Sequence, residues 1–235
     1  MNLNRKRRMS GGCSLLLAGL ISACGSGQSE DVNQNTILQT YTLRYKEAAR
    51  RVLASAEFHY ENRFGTSLRL TGTSAITFQN QPMSYQNVFS RSSYVSEYTQ
   101  VFRVDDQYIF RYRNNDGFVY EREAQIPQRP LLLTLSSGSR IEIDRDLAIR
   151  FAADRTDSVT ICLATDQRTD GTSQRWCQTA EAGRDFVIFE AEDLAELRAW
   201  DELQLEVEAR RQRSIDGGRV EVQEVFEAAP ILVYL

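Results

Sequence analysis

Hydrophobic and polar residues alternate along much of this chain with the two-residue period of β-strands. The alternation first runs through two stretches, residues 41–45 and 52–60. Apolar residues in the same region also fall at helical spacing, so a short helical turn at residues 47–51 is left open. The aromatic and β-branched content favours two strands joined by a turn.

Turn residues interrupt the next part of the chain at intervals of about 8 to 12 residues, as in all-β proteins. The predicted strands are residues 68–70, 76–78, 99–104, 108–113 and 118–123. Asp116 and Gly117 precede an aromatic run, which indicates a hairpin because both residues tolerate positive φ. Pro127 and Pro130 then form a stiff connection, which we interpret as a domain boundary.

A second series of short strands follows this connection. The predicted strands are residues 131–135, 141–143, 147–152, 158–164, 174–179, 186–189, 202–212 and 219–226, with residues 231–234 as a tail. Leu194, Leu197 and Trp200 lie three residues apart, which predicts one to three helical turns near residues 190–200. The number and length of the strands are typical of an immunoglobulin-like sandwich.

The pattern therefore predicts an all-β fold with two β domains. The first is an N-terminal β domain at residues 38–127. The second is an immunoglobulin-like β-sandwich at residues 128–235, with the short helix near residues 190–200 inside it.

The N-terminal segment has a different pattern. A basic run at residues 5–8 and an apolar stretch at residues 15–21 precede Ser22, Ala23 and Cys24, which is the organisation of a secretory signal peptide. The apolar stretch is shorter than the roughly 20 residues of a membrane-spanning helix. An ordinary signal peptide remains an alternative, but it needs no cysteine after the cleavage point.

Residues 20–24, Leu-Ile-Ser-Ala-Cys, resemble the lipobox of bacterial lipoproteins. The resemblance implies cleavage after residue 23, a signal peptide at residues 1–23, and acylation of Cys24, for example by palmitate. The whole layout, including residues 72–78 and the proline connection, is similar to proteobacterial outer-membrane lipoproteins, which implies no particular activity. By the lipoprotein sorting rule, Gly25 implies the outer membrane of a Gram-negative bacterium, with the body facing the periplasm or the cell surface.

Residues 24–37 are predicted to be the lipidated cysteine and a flexible tether, because residues 25–35 are polar. Cleavage would remove four of the 28 Lys and Arg residues and none of the 32 Asp and Glu residues. The mature chain is therefore more acidic than the full chain, whose net charge is -4. This balance argues against nucleic acid as a partner, since phosphate binding needs basic surfaces.

Cys162 and Cys177 are the thiols that remain after Cys13 leaves with the signal peptide and Cys24 is acylated. Export to an oxidising compartment makes a disulfide between them the expected state. They flank a polar loop, as in a hairpin, and closing such a loop stabilises by about 3 kcal/mol in the chain-entropy model. A catalytic redox pair would more typically have the spacing Cys-x-x-Cys.

The sequence predicts neither an enzyme nor a cofactor or metal site. His59 is the single histidine, and it lies within a predicted strand as a sheet-face residue. Asp166 and Asp170 fit the start of a calcium loop, but Arg168 and Cys177 stand where oxygen ligands are needed. A glycosidase-type carboxylate pair stays open, because sequence spacing does not report distance in space.

Aromatic residues cluster in the first domain and give the one indication of a ligand. The candidate ligand-stacking residues are Tyr94, Tyr98, Tyr108, Tyr112 and Tyr120. An exposed array of these rings would stack on sugars, whereas the same rings turned inward would be core.

Two functional hypotheses follow. The first is a noncatalytic envelope binding or structural module, joined to the membrane by its anchor and bound to an envelope protein or glycan. The second is a carbohydrate-binding or carbohydrate-acting protein that uses the rings. Exposure of the rings separates the two.

Overall fold

The structure is a computed structural model that describes residues 26–62, 65–88, 91–99, 106–165, 174–199 and 202–235. The strands in these ranges are β1 Gly27–Gln28, β2 Ile37–Lys46, β3 Arg51–Tyr60, β4 Leu68–Arg69, β5 Ala75–Phe78, β6 Gln81–Pro82, β7 Ser84–Val88, β8 Arg91–Thr99, β9 Tyr108–Arg113, β10 Val119–Ala124, β11 Leu131–Leu132, β12 Leu147–Ala152, β13 Ser158–Ala164, β14 Arg175–Glu181, β15 Phe186–Phe189, β16 Glu202–Ile215, β17 Val220–Glu227 and β18 Ile231–Tyr234. The helix α1, Ala191–Ala195, continues into a 3-10 turn at Glu196–Ala199. Further 3-10 turns lie at Ser29–Asp31, Gln34–Thr36 and Asp216–Gly218. The all-β prediction is confirmed.

Most strands form where alternation predicted them. In β2 every second side chain from Ile37 to Tyr45 is buried, and residues 47–50 form the turn to β3. The bounds of β12, β13, β15 and β18 match the prediction. Residues 141–143 form no strand, although Ile141 is buried and its N–H donates to the carbonyl of Tyr234. Part of the strand predicted at residues 99–104 lies outside the described residues.

The centre of the fold is one nine-stranded sheet with the order β14-β13-β16-β17-β2-β3-β8-β7, in which β18 also pairs with β16. Strands β17 and β2 are parallel and in register from Val220 opposite Gln39 to Glu227 opposite Lys46. Residues of both predicted domains therefore share one sheet. The boundary predicted near Pro127 does not coincide with a break between sheets.

Two smaller sheets contribute to the same hydrophobic core. The sheet β10-β9-β5-β6 meets β2 and β3 through aromatic rings, with ring centroids 5.0 Å apart for Tyr41 and Phe110 and 4.7 Å apart for Phe58 and Tyr112. The sheet β11-β12-β15 contributes the buried side chains of Ile149, Phe151, Val187 and Phe189. The large sheet and both smaller sheets therefore share one hydrophobic core.

Residues 27–36 pack on the body, which corrects the prediction of a flexible tether. Strand β1 runs parallel to β4, and Ser29 is fully buried. The Nε2 atom of Gln34 donates to the carbonyl of Ser29 at 2.6 Å. Asn115 makes two further bonds: its backbone N–H donates to Gln34 Oε1, and its Nδ2 donates to Ser29 Oγ. A polar segment can be ordered in this way because side-chain amides satisfy its backbone groups.

Candidate functional site

The candidate ligand-stacking tyrosines do not form an exposed array. Tyr108 and Tyr112 are 2% and 1% exposed, and Tyr94 is also buried. Tyr98 and Tyr120 are half-buried, and Tyr98 donates through its hydroxyl to the carbonyl of Phe78. The rings lie on the core side because alternation directs them at the facing sheet, so the carbohydrate hypothesis loses the observation that supported it.

Burial also changes the acidity of these phenols. It raises the pKa of Tyr108 and Tyr112 to about 12, and it raises the pKa of Tyr41 as well. Each shift has desolvation as its largest cause, since the phenolate would be charged in an apolar core. These groups therefore stay neutral near pH 7 and act as core side chains.

The predicted disulfide between Cys162 and Cys177 is confirmed. The two residues lie directly opposite each other in the β13–β14 pair, with Cα atoms 4.1 Å apart. Cys162 is buried and Cys177 is exposed. The bond clips the hairpin whose loop at residues 166–173 lies outside the described residues.

His59 lies in β3, as predicted, and its ring is buried. Its Nε2 is 3.3 Å from Glu57 Oε2, and this hydrogen bond is the largest cause that lowers the pKa of the Glu57 carboxyl, against an opposing effect of burial. Among the described residues no group of three or more His, Cys, Asp or Glu side chains could hold a metal ion. The hydrogen bond between His59 and Glu57 lies within one strand, and we interpret it as structural.

A buried ionic cluster lies where the two halves of the large sheet meet. Glu224 is fully buried on β17, and its carboxylate accepts from Arg211 and, at 2.8 Å, from Arg213. The backbone N–H of Gln125, in the segment that connects the halves, donates to the same carboxylate at 2.9 Å. The cluster joins β16, β17 and the connection, so its role is structural.

The sheet β11-β12-β15 has an uncovered apolar face, which the sequence analysis missed. Leu131 and Leu133 are 64% and 57% exposed, and Phe186 and Ile188 are 41% and 43% exposed. The strand register places Phe186 opposite Arg150 and Leu131 opposite Ala152. Arg150 and Ala152 are two residues apart on β12 and therefore on the same face, so the exposed apolar side chains of β11 and β15 share that face. We call Leu131, Leu133, Phe186 and Ile188 the apolar face.

The sequence contained a signal for this face. Residues 186–189, Phe-Val-Ile-Phe, are apolar without interruption, which is typical of a strand covered on both sides. In the structure Val187 and Phe189 point into the core, while Phe186 and Ile188 meet no covering layer among the described residues. The exposed salt bridge between Arg150 and Asp185 lies within this face, because β12 is the middle strand of the sheet and Arg150 is opposite Phe186.

A second surface is an open groove of about 670 Å³ on the large sheet. Its lining is mixed, with Arg44, Ser55 and Glu97 beside Leu53 and Val95. It contains no aromatic ring among its lining residues, so it lacks the stacking platform that sugar binding commonly uses. The groove therefore gives the carbohydrate hypothesis no replacement for the buried tyrosines.

The predicted lipidation site, Cys24, and the signal peptide at residues 1–23 lie outside the described residues. Within the part of the chain that the structure describes, no helix has the length and hydrophobicity needed to cross a membrane. The lipobox interpretation stays a prediction.

Comparisons with known proteins give no family. No protein-family model matches the chain, and no curated protein matches it. Solved structures similar to parts of it include the fibronectin(III)-like modules of CbhA from Clostridium thermocellum, with 11% identity, a TM-score of 0.26, and coverage of 84% of this chain and 94% of that one. A cytokine receptor complex has 12% identity, a TM-score of 0.25, and coverage of 81% and 99%. DIP-gamma IG1+IG2 has 8% identity, a TM-score of 0.23, and coverage of 83% and 95%. Likenesses at these TM-scores carry no argument about function.

Proposed function

We propose that this protein is a lipid-anchored, noncatalytic module of the bacterial envelope that binds another protein through its apolar face. The anchor is Cys24, on the strength of the lipobox resemblance. The body is the layered β structure, and the outer membrane is the expected location. The apolar face is the observation that carries the binding role.

A contiguous exposed apolar surface is unusual on a soluble protein and typically marks an interaction site when polar residues surround it. A sheet with one face in water normally has polar side chains on that face and apolar side chains on the other. The apolar face departs from this pattern at Leu131, Leu133, Phe186 and Ile188. The exposed Arg150–Asp185 salt bridge adds a charged pair within the face. A protein partner fits this combination better than a glycan, which needs more polar groups and flat exposed rings.

The proposal is tested with the acylated protein in detergent-solubilised envelope. Three proteins are compared: the wild type, a Phe186→Lys, Ile188→Lys variant, and a matched Phe118→Lys control. Phe118 is 64% exposed but lies beside a different sheet, before β10. We expect one crosslinked partner to be recovered with the wild type and the control and lost with the double variant.

Equal recovery with all three proteins would reject the apolar face as the binding site. A crosslinked product with the mass of two copies of this chain would identify self-association instead of a distinct partner. The carbohydrate alternative predicts a different result, in which saturable adsorption to polysaccharide is unchanged by the double variant.

A further inference from the structure

Gly27 is the first residue of the described chain whose backbone is hydrogen-bonded to the body. Its backbone N–H donates to the carbonyl of Ser67 at 2.9 Å, and β1 continues parallel to β4. The packing here is close, since a Cβ on Gly27 would lie 3.1 Å from Leu68 Cδ2. Ser29 follows and is fully buried. The body therefore begins three residues after Cys24.

This short spacing limits how far the body can move from an anchor at Cys24. An extended chain spans at most about 3.6 Å per residue, so three residues reach about 10 Å. A coil of the length predicted from sequence would reach about twice as far and would permit rotation. With residues 27–36 packed on the body, the end at which β1 begins must lie close to the membrane.

Two exposed arginines, Arg69 and Arg91, and Tyr85 lie at that end, where the charge of Arg91 also helps to lower the pKa of the Glu57 carboxyl. The guanidinium of Arg69 lies 4.9 Å from the centre of the Tyr85 ring, and the Tyr85 hydroxyl is 3.2 Å from Ser92 Oγ. Arg91 begins β8 and pairs with Val88 of β7, the strand that contains Tyr85. Arg69 and Arg91 are exposed, and neither is within ion-pair distance of a carboxylate among the described residues.

We propose that Arg69, Tyr85 and Arg91 form a headgroup-binding surface that holds this end of the body on the phospholipid bilayer. The proposal rests on the lipid anchor of the proposed function. It replaces a freely rotating body with one that has a fixed orientation on the membrane.

The chemistry of these side chains fits phospholipid phosphate. A guanidinium donates two parallel hydrogen bonds to phosphate oxygens, and a tyrosine ring with a polar tip is favoured at the membrane interface. Glu30 and Glu61 are also near this end, and the whole body is acidic, so charge alone would not recruit it. The anchor supplies the local concentration, and the arginines select which surface faces the lipid.

The orientation directs the other half of the protein away from the membrane. Ile215, at one end of β16, is opposite Val220, and Val220 is next to Gln39 near the start of β2. Gln204, near the other end of β16, is opposite Ala164. The distance from Ile215 to Gln204 is roughly 36 Å at 3.3 Å per strand residue. The sheet that contains the apolar face contacts β14, at the opposite edge of the large sheet from β7 and β8, so an envelope partner can reach it there.

The test uses the acylated full-length protein in vesicles of phosphatidylethanolamine and phosphatidylglycerol that contain a headgroup-linked nitroxide quencher. A fluorophore is attached at Asn87→Cys, an exposed position on β7, or at Ser137→Cys, an exposed position near Leu232 in the distal half. We expect several-fold stronger quenching at position 87 than at position 137. Twelve Gly and Ser residues inserted between Gly25 and Ser26 should reduce the quenching at position 87.

A second variant tests the named side chains. Arg69→Gln with Arg91→Gln should lower the quenching at position 87 while the protein still floats with the vesicles. Equal quenching at both positions, or no effect of either the insertion or the arginine substitutions, would overturn the headgroup surface. Loss of flotation by the wild type would instead reject the lipid anchor itself, so the two failures are distinguishable.

Discussion

Removing the carboxylate of Glu224 tests whether the two halves of the chain form one cooperative unit. Glu224→Gln keeps the shape of the side chain but leaves Arg211 and Arg213 without their shared counterion. The side chain of Arg211 is 19% exposed and that of Arg213 is 40% exposed, so water compensates only part of the loss. Gln125 keeps its acceptor, because a glutamine oxygen can replace the carboxylate oxygen.

The magnitude follows from burial. Breaking a fully buried ion pair by removing one partner costs about 3–5 kcal/mol, and the partial hydration of the arginines lowers our expectation to about 2–3 kcal/mol. Glu227→Gln is the matched control on the same strand, since Glu227 is 28% exposed and pairs with Arg44 and Lys46. The Glu227→Gln substitution should lower the free energy of unfolding by less than about 1 kcal/mol.

The assay is urea unfolding of the body followed by far-UV circular dichroism and by tryptophan fluorescence. We expect a single transition with coincident midpoints for both probes, because β17 and β2 place both halves in one sheet. A Glu224→Gln variant as stable as the Glu227→Gln control would refute the role of the buried cluster. Two separate transitions in the wild type would refute the single cooperative unit.

Three further predictions follow from the site. Spectroscopic titration should show that Tyr41 and Tyr112 ionise only as the protein unfolds. Because burial raises their pKa values in the folded state, the neutral phenols stabilise the fold fully below pH 10. This stabilisation is lost as the pH rises towards about 12 for Tyr112. Cys162→Ser with Cys177→Ser should lower the free energy of unfolding by up to about 3 kcal/mol and leave the fold intact by circular dichroism. Asn115→Ala removes the Nδ2 donor to Ser29 Oγ, so it should accelerate amide hydrogen exchange in residues 27–36 without changing exchange in the large sheet. Unchanged exchange in residues 27–36 would contradict the packed N-terminal segment.

Local patterns predicted the strands but not how the strands assemble. The bounds of β12, β13 and β15 follow from alternation and from flanking turn residues, and the Cys162–Cys177 bridge follows from its place in a hairpin. The parallel pairing of β17 with β2 joins residues about 180 positions apart, and no local pattern specifies such a partner. Pro127 and Pro130 therefore predict a domain boundary from local stiffness alone, whereas one sheet contains strands from both sides of it.

Side-chain direction and polar packing account for the remaining differences. Alternation predicts that Tyr108 and Tyr112 lie on one side of β9, but it does not predict that this side faces another sheet. The polar residues 27–36 looked free of packing groups, yet Ser29, Gln34 and Asn115 form specific hydrogen bonds there. The apolar face was not predicted because a strand at residues 186–189 follows from the apolar run, whereas the absence of a layer over Phe186 and Ile188 depends on how the sheets assemble.

Mass spectrometry of the amino-terminal peptide, from protein extracted from bacterial membranes, tests the lipid anchor most directly. We expect a peptide that begins at Cys24 and carries a diacylglyceryl group on sulfur and an acyl chain on the amino group. More than one chain is needed for stable anchoring, so the Cys24→Ser protein should be recovered in the soluble fraction after a high-salt wash. An unmodified Cys24, or a Cys24→Ser protein that still sediments with membranes, would contradict the lipid anchor.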